Sequence, residues 1–218
     1  MLYEETRQHI ADLGRRLEQD GLLNHTAGNI SARVAPDQIA ITPSSIPYPT
    51  ITAEDVVILD MNGHLVDGQR RPSSEWRMHL MMYQIRPQTG GVVHTHAPYA
   101  TTLAVMGLTI PAVHYEIAAL AEDVIPLVPY TTYGTADLAE HCRSAMGTAN
   151  AALLANHGTI ALGPTLEAAA TFTQILEFLA MLYYRSRLAG EPVILPHEEI
   201  MHVRERFRTH GQQEVVSV

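Results

Sequence analysis

The sequence has few of the features that mark secreted, membrane or nucleic-acid-binding proteins. It contains one cysteine, Cys142, so no disulfide can form within its 218 residues. No apolar run approaches the ~18 residues that a membrane span requires, and the charged N-terminal stretch lacks the apolar core of a signal peptide. A formal charge of −9 argues against non-specific nucleic-acid binding, which needs a basic face. We therefore expect a cytoplasmic protein with neither a nucleic acid nor a membrane as its partner.

The sequence does contain enough apolar residues for a substantial core. Hydrophobic residues make up 46% of the chain, and the mean hydropathy is close to zero. A chain of this length fits one hydrophobic core, since single cores grow to about this size before chains divide into separate domains. We therefore predict a single domain over residues 1–218.

Strand and helix patterns are interleaved along the chain. The turn-linked pairs NISARV/QIAIT and DVVILD/HLVD predict hairpins, and further strands are predicted for GVVHTH, VIPLVPY, AALLAN and TIALG. Helical spacing covers residues 2–20 and the segments SSEWRMHLMMYQIR, APYATTLAVMG, TADLAEHCRSAMG, TLEAAATFTQILEFLAMLYYRSRLAG and HEEIMHVRERFRTHG. Because hairpins are inconsistent with a purely parallel sheet, we predict an α/β fold with a mainly antiparallel or mixed central sheet covered by helices.

Three histidines stand near the ends of predicted strands. His94 and His96 lie two positions apart in GGVVHTHAPYA and therefore point to one face of a strand. His157 follows the strand AALLAN, and Gly158 after it permits a tight turn. If these strands are neighbours, the three imidazoles converge, and three histidines with an open fourth position can hold a catalytic zinc. The same residues could instead be buried histidines that bond to neighbours or, for His157, an exposed turn residue.

Ser73, Ser74 and Glu75 follow a proline and precede a helical segment. At this position serines cap a helix, and an acidic residue is favoured by the helix dipole. The same position attracts anions, so the two hydroxyls suit a phosphate group. Glu75 could then reach the histidines as a metal ligand or a proton carrier. Both interpretations remain open on these residues alone.

Two further small-residue turns suit an anion. In NHTAGNISAR, both Gly28 and Asn29 can adopt positive φ, and successive N–H groups in such a turn form an anion-binding nest. TPSSIPY is a second hydroxyl-rich loop. Together with Ser73 and Ser74, these turns give three candidate phosphate loops beside one candidate metal site.

The ordered set of motifs resembles the class II aldolase/adducin family, and within it the aldolases of L-fuculose 1-phosphate. The motifs run from TAGNISAR through ITPSSIPY, PSSEWRMH, VVHTHA, IPAVHY, PYTTYGT and ANHG to the C-terminal helix. This resemblance implies reversible cleavage of a ketose 1-phosphate to dihydroxyacetone phosphate and a short aldehyde such as L-lactaldehyde, through a metal-stabilised enediolate. It also implies a homotetramer with active sites between subunits.

The resemblance assigns roles to individual residues. It implies one Zn²⁺ per subunit, or another divalent metal, held by His94, His96 and His157 and approached by Glu75. Glu75 would transfer the proton, and Tyr115 would reach across a subunit boundary to serve the aldehyde half. The residues implied for phosphate binding are Thr26, Gly28, Asn29, Ser44, Ser45, Ser73 and Ser74.

Departures from the family pattern bear on the substrate. Ser44 and Ser45 replace an expected Thr-Gly pair, Tyr133 replaces an expected phenylalanine, and His210 replaces an expected tyrosine. Because Tyr133 and His210 belong to the aldehyde side of the pocket, 5-deoxyribulose 1-phosphate or its methylthio analogue is a rival substrate. Glu75 favours an aldolase over the family's 4-epimerases, which carry aspartate here. A decarboxylase of the same family, a non-catalytic module like the adducin head and an unrelated zinc hydrolase are the remaining hypotheses.

Overall fold

The computed structural model describes residues 1–209, and its central feature is an eight-stranded sheet. The strands of this sheet are β1 (Asn29–Ala35), β2 (Gln38–Ile41), β3 (Val57–Asp60), β4 (Leu65–Asp67), β5 (Gly91–Thr95), β8 (Leu127–Val128), β9 (Ala151–Leu154) and β10 (Gly158–Gly163). They are arranged in the order β4-β3-β2-β1-β5-β10-β9-β8. Every neighbouring pair is antiparallel except β8 and β9, which run parallel. Strands β6 (Ile110–Pro111) and β7 (Val124–Ile125) form a separate antiparallel pair.

Six α-helices in the described residues cover both faces of the sheet. They are α1 (Glu4–Gln19), α2 (Trp76–Ile85), α3 (Pro98–Val105), α4 (Ala136–Met146), α5 (Leu166–Ala189) and α6 (His197–Thr209). Alternate residues of β5 divide between the two faces, because successive side chains of a strand point in opposite directions. Val93 packs with residues of α1 and α5, whereas Val92 packs with residues of α2 and α4. Burial on both faces explains why this strand is an apolar run, and the predicted α/β class is confirmed.

The predicted strand VIPLVPY is interrupted. Pro126 lies between β7 and β8, and each of these two-residue strands pairs with a different partner, β6 for the first and β9 for the second. Proline cannot donate a backbone hydrogen bond, so it ends one ladder before the next begins. Among the described residues, no helix combines the length and apolar character needed to cross a bilayer. That residues 1–218 form one domain stays a prediction.

Candidate active site

The three histidines converge at one edge of the central sheet. Strand β10 lies between β5 and β9, with Thr159 opposite Thr95 and Ile160 opposite His94. The turn that joins β9 to β10 carries His157 and so lies beside the end of β5. The ring centroids of His94, His96 and His157 are 4.8–5.1 Å apart, and one nitrogen from each ring lies within 4.8 Å of the other two.

The turn before β10 differs in detail from the prediction. Asn156, rather than Gly158, takes the left-handed conformation, with φ of +52°. Gly158 is required because a larger residue would clash with its neighbours. A Cβ atom there would lie 2.3 Å from the Thr95 carbonyl oxygen and 2.8 Å from Cδ2 of His96. The missing side chain therefore allows the His157 turn to approach the other two histidines closely.

Glu75 is the residue directly before α2, and its carboxylate faces the histidines. Oε2 is 3.1 Å from Nε2 of His94, and Oε1 is 3.4 Å from Nε2 of His157. Nδ2 of Asn29 donates a hydrogen bond of 2.9 Å to Oε2. The expected serine cap is not formed, since no described side chain accepts from the first turn of α2. The Ser73 hydroxyl instead accepts from the Glu75 backbone N–H at 3.3 Å.

The charges at this cluster are coupled. Burial alone raises the pKa of the Glu75 carboxyl, but His94, His157 and the Asn29 amide outweigh burial, so its pKa lies well below the usual range. Burial alone lowers the pKa of His94, and the Glu75 carboxylate more than reverses this effect. For His96 and His157, burial and the nearby His94 lower the pKa to about 4. These two imidazoles are therefore neutral at pH 7, as metal ligands must be.

The donor set suits a divalent cation. Nδ1 of His94 hydrogen-bonds to the Thr159 carbonyl oxygen at 2.7 Å, which directs Nε2 toward the other two rings. Oε1 of Glu75 is buried and has no hydrogen-bond partner among the described residues, although it faces His157. Three imidazole nitrogens beside a carboxylate oxygen match the ligands that zinc prefers. His94, His96 and His157 could hold such an ion, with Glu75 next to it.

A cavity of about 350 Å³ opens over the cluster. Its lining includes Glu75, His96, His157 and Tyr133 together with all the residues expected to bind phosphate: Thr26, Gly28, Asn29, Ser44, Ser45, Ser73 and Ser74. The structure therefore brings the three candidate phosphate loops to the same cavity as the candidate metal ligands. The next residue, Gly134, lies close to the second serine of one phosphate loop, since a Cβ atom there would lie 2.9 Å from the Ser74 carbonyl oxygen.

Two of the phosphate loops contain a residue in the left-handed conformation, and one expected residue does not adopt it. Asn29 does not adopt positive φ, because it is the first residue of β1 and pairs with His94 of β5. Gly28 does, at +85°, and a Cβ atom there would lie 2.6 Å from the His94 carbonyl oxygen. Ser45 also adopts positive φ, +63°, a conformation that glycine takes more readily. The Ser44–Ser45 loop thus keeps a left-handed turn without a glycine.

Two expected site residues lie away from this cavity or outside the described residues. Tyr115 is 46% exposed, at the start of a 3₁₀ helix, and its ring packs beside His114 and Phe207. It is not part of the described lining of the cavity. His210 lies outside the described residues, so its expected place on the aldehyde side stays a prediction.

His79 joins the site through Asn29, a role that its sequence motif alone does not assign. Its ring is fully buried, with Nε2 2.5 Å from Oδ1 of Asn29 and Nδ1 2.6 Å from the Ser31 hydroxyl. A signal was present in the sequence, because His79 follows Glu75 by four residues and therefore shares a helix face with it. The Thr159 carbonyl gave no such signal, since it is a backbone group.

Comparisons with known proteins identify the family of this chain. The sequence matches the family described as Class II Aldolase and Adducin N-terminal domain over residues 8–184. It is 43% identical to a 5-methylthioribulose-1-phosphate/5-deoxyribulose-1-phosphate aldolase of Rhodospirillum rubrum, over 94% of this chain and 92% of the relative. It is 42% identical to an L-fuculose phosphate aldolase of Escherichia coli, over 94% of each chain.

A solved structure of an L-fuculose 1-phosphate aldolase has the same fold. It superposes with a TM-score of 0.92 at 38% sequence identity, over 95% of this chain and 98% of that chain. The predicted family and the predicted enzyme class, an aldehyde-lyase, are confirmed, and the chain belongs to the class II aldolase/adducin family.

Proposed function

We propose that this chain is a zinc-dependent aldolase that cleaves a ketose 1-phosphate reversibly to dihydroxyacetone phosphate and a short aldehyde. The observation that carries this proposal is the shared cavity, where His96, His157 and Glu75 meet the three phosphate-suited loops. A hydrolase that uses metal-bound water would need the metal ligands but not these loops.

The composition supports a metal-dependent reaction over a Schiff-base reaction. The sequence contains 14 arginines and no lysine. A lysine amine is the group with which enzymes form Schiff bases on carbonyl substrates. Carbon–carbon cleavage by this chain therefore needs a different way to stabilise negative charge.

Each group in the cavity has a defined task. A divalent cation held by His94, His96 and His157 would act as a Lewis acid toward the charge that develops next to the substrate carbonyl. In the condensation direction, the ionised Glu75 carboxylate removes a proton from the carbon atom that attacks the aldehyde. In cleavage, Glu75 returns to that carbon atom the proton that the substrate hydroxyl releases as the aldehyde forms. Its carboxylate is suited to this because it lies 5% exposed beside the histidines and away from bulk water.

The substrate phosphate would bind to hydroxyl and amide groups of the three loops that line the same cavity. Ser44, Ser45, Ser73 and Ser74 present hydroxyls, and Asn29 retains one amide N–H beyond the one that it donates to Glu75. Backbone N–H groups near the start of α2 add favourable partial charge for an anion.

L-Fuculose 1-phosphate is the first substrate candidate, and 5-deoxyribulose 1-phosphate with its methylthio analogue is the second. Tyr133 keeps the second candidate in contention, because its side chain lines the cavity where the fuculose aldolase pattern has phenylalanine, which puts lactaldehyde in doubt as the aldehyde half. The relative from Rhodospirillum rubrum bears the name of this second activity. Glu75 keeps both candidates ahead of 4-epimerisation and decarboxylation.

The proposal includes a homotetramer in the cytoplasm. Tyr115 supports sites between subunits, because it is 46% exposed and lies outside the described lining of its own cavity, as expected of a residue that serves the site of a neighbour.

Condensation of dihydroxyacetone phosphate with lactaldehyde, acetaldehyde or methylthioacetaldehyde tests this function. We expect consumption that a chelator abolishes and that added zinc restores. The order of the three aldehydes then separates the two substrate candidates. No consumption by a folded, zinc-loaded protein would defeat the proposal.

A further inference from the structure

A continuous chain of hydrogen bonds runs behind the candidate active site. Tyr83 and Ser31 are joined through their hydroxyl oxygens at 2.8 Å, and the Ser31 hydroxyl lies 2.6 Å from Nδ1 of His79. Nε2 of His79 lies 2.5 Å from Oδ1 of Asn29, whose Nδ2 donates to Glu75 at 2.9 Å. All five side chains belong to residues that are at most 5% exposed.

The donor and acceptor of each hydrogen bond in this chain can be assigned in order, beginning with Glu75. An ionised carboxylate only accepts, so the amide nitrogen of Asn29 faces Glu75 and its oxygen faces His79. Nε2 of His79 must then carry the proton. Burial lowers the pKa of His79 to about 3, so the ring is neutral at pH 7 and Nδ1 accepts from Ser31. The Tyr83 hydroxyl in turn donates to Ser31.

We propose that His79 is a positioning residue that fixes the Asn29 amide with its N–H groups toward Glu75 and the substrate phosphate. This inference rests on the proposed aldolase function for its catalytic consequence. Without the His79 donor, the buried Oδ1 of Asn29 loses its partner, and the amide is held only at its Glu75 end. The amide would then move more freely, and both Glu75 and the substrate phosphate would lose a well-oriented N–H donor.

Two substitutions of His79 separate this role from packing. His79→Leu fills similar space with an apolar side chain and removes the Nε2–H donor. His79→Gln also replaces the ring but places an amide N–H near the position of Nε2. We expect His79→Leu to lower kcat by ~10- to 100-fold, the usual cost of losing a hydrogen-bond partner that orients a site residue, and to raise KM for dihydroxyacetone phosphate. His79→Gln should stay within a few-fold of wild type. Equal losses in both variants would overturn the proposal.

Met82→Ala is the matched control, because Met82 is fully buried on the same helix but belongs to the apolar cluster. It should lower thermal stability while leaving kcat and KM unchanged. If Met82→Ala lowers kcat as strongly as His79→Leu, the effect of His79 is only structural and the proposal is wrong.

A double-mutant cycle tests whether His79 acts through Asn29. Once Asn29→Ala has removed the amide, adding His79→Leu should change kcat by less than about two-fold, since residues that act through a shared partner are not additive. A full ~10- to 100-fold further loss would show that His79 acts by another route.

Side-chain amide NMR tests the inference independently of turnover. The Asn29 NH₂ signals, assigned by their loss in Asn29→Asp, should exchange slowly with solvent in wild type and His79→Gln. They should exchange quickly in His79→Leu or, if that variant does not fold, in Ser31→Ala, which removes the donor to Nδ1. Slow exchange in every variant would contradict the positioning role, even if the wild type proved inactive as an aldolase. Inactivity of the wild type alone would defeat only the proposed function.

Discussion

The backbone carbonyl oxygen of Thr159 accepts a hydrogen bond from Nδ1 of His94 at 2.7 Å, across the ladder that joins β10 to β5. This contact determines that Nε2 is the nitrogen that faces His96, 3.2 Å away, and Glu75. A sheet register thus fixes the orientation of one imidazole in the cluster, and the same ladder brings in the turn that carries His157. Of the three candidate ligands, His94 lies on β5, His96 follows that strand directly, and His157 lies in the turn between β9 and β10, so the pairing of these strands brings them together.

Replacement of Glu75 by glutamine is expected to separate binding from chemistry. The new amide in Glu75→Gln would keep the shape of the side chain and its contact with Asn29 but could not transfer a proton. We expect turnover to fall by at least ~10²-fold, the usual scale of general acid–base catalysis. Zinc content and inorganic phosphate affinity should stay near the wild-type values. Turnover within a few-fold of wild type would remove Glu75 from the proton-transfer role.

Gly158→Ala is expected to disturb the cluster without changing any ligand. The added Cβ would meet the Thr95 carbonyl and the His96 ring, so we expect a loss of about 1–3 kcal/mol in the free energy of unfolding, as in overpacked sites. Zinc affinity should fall as well, because His96 must move.

Gly190→Ala is the control for this variant, since no atom of residues 1–209 beyond its chain neighbours lies within 4 Å of the Cβ position at Gly190. Its unfolding free energy should stay within ~0.5 kcal/mol of wild type. Urea unfolding and zinc titration measure both properties. Equal behaviour of the two variants would contradict the steric role of Gly158.

The buried His79 should make the stability of the zinc-free protein depend on pH. Its pKa is lowered from 6.5 to about 3 by burial, so between these pH values the unfolded chain binds more protons at this residue than the folded chain. The contribution of His79 to the free energy of unfolding therefore falls as the pH falls below 6.5. Above pH 6.5 this contribution is constant. Between pH 7.5 and pH 5, the contribution is roughly 2 kcal/mol.

The His79→Gln variant isolates this contribution, because glutamine does not titrate while His94, His96 and His157 are retained. Urea unfolding at pH 7.5 and pH 5 should show a smaller loss of stability for His79→Gln than for wild type. The same loss in both proteins would show that His79 does not carry the predicted pH dependence.

Mixing two inactive variants should reveal whether Tyr115 works across subunits. A chain with Glu75→Gln and a chain with Tyr115→Phe each lack one group, but a mixed assembly can combine an intact Glu75 with an intact Tyr115. If each site draws on two subunits, unfolding and reassembling an equal mixture should restore activity to about a quarter of the sites. Mixing the folded proteins without reassembly is the control. Absence of any recovery after reassembly would place Tyr115 outside a shared site.

The sequence was sufficient for most local elements and for the three histidines that the structure brings together. Period-two alternation and the apolar run before His94 predicted strands, and the structure places His94, His96 and His157 within reach of one another. Convergence itself depended on β10 lying between β5 and β9, a long-range pairing that local patterns do not encode. Pro126 shows a second limit of local patterns. One apolar segment, predicted as a single strand, is divided there between two hydrogen-bond ladders.

The hydrogen-bond partners behind the site were harder to predict. His79 could be placed on the same helix face as Glu75 by its spacing, but its contact with Asn29 requires β1 and α2 to pack together. The tight turn expected of Gly158 has its positive φ at Asn156, and Gly158 instead provides the empty space that the neighbouring strand requires. Such demands come from the neighbouring strand and not from the turn residues themselves.

Cleavage of L-fuculose 1-phosphate and of 5-deoxyribulose 1-phosphate, measured as release of dihydroxyacetone phosphate with and without a chelator, tests the central claim most directly. We predict that the zinc-loaded protein releases dihydroxyacetone phosphate from at least one of these substrates, that chelation stops the release and that zinc restores it. Release that continues after the metal has been removed, or no release from either substrate by the folded, zinc-loaded protein, would contradict the account.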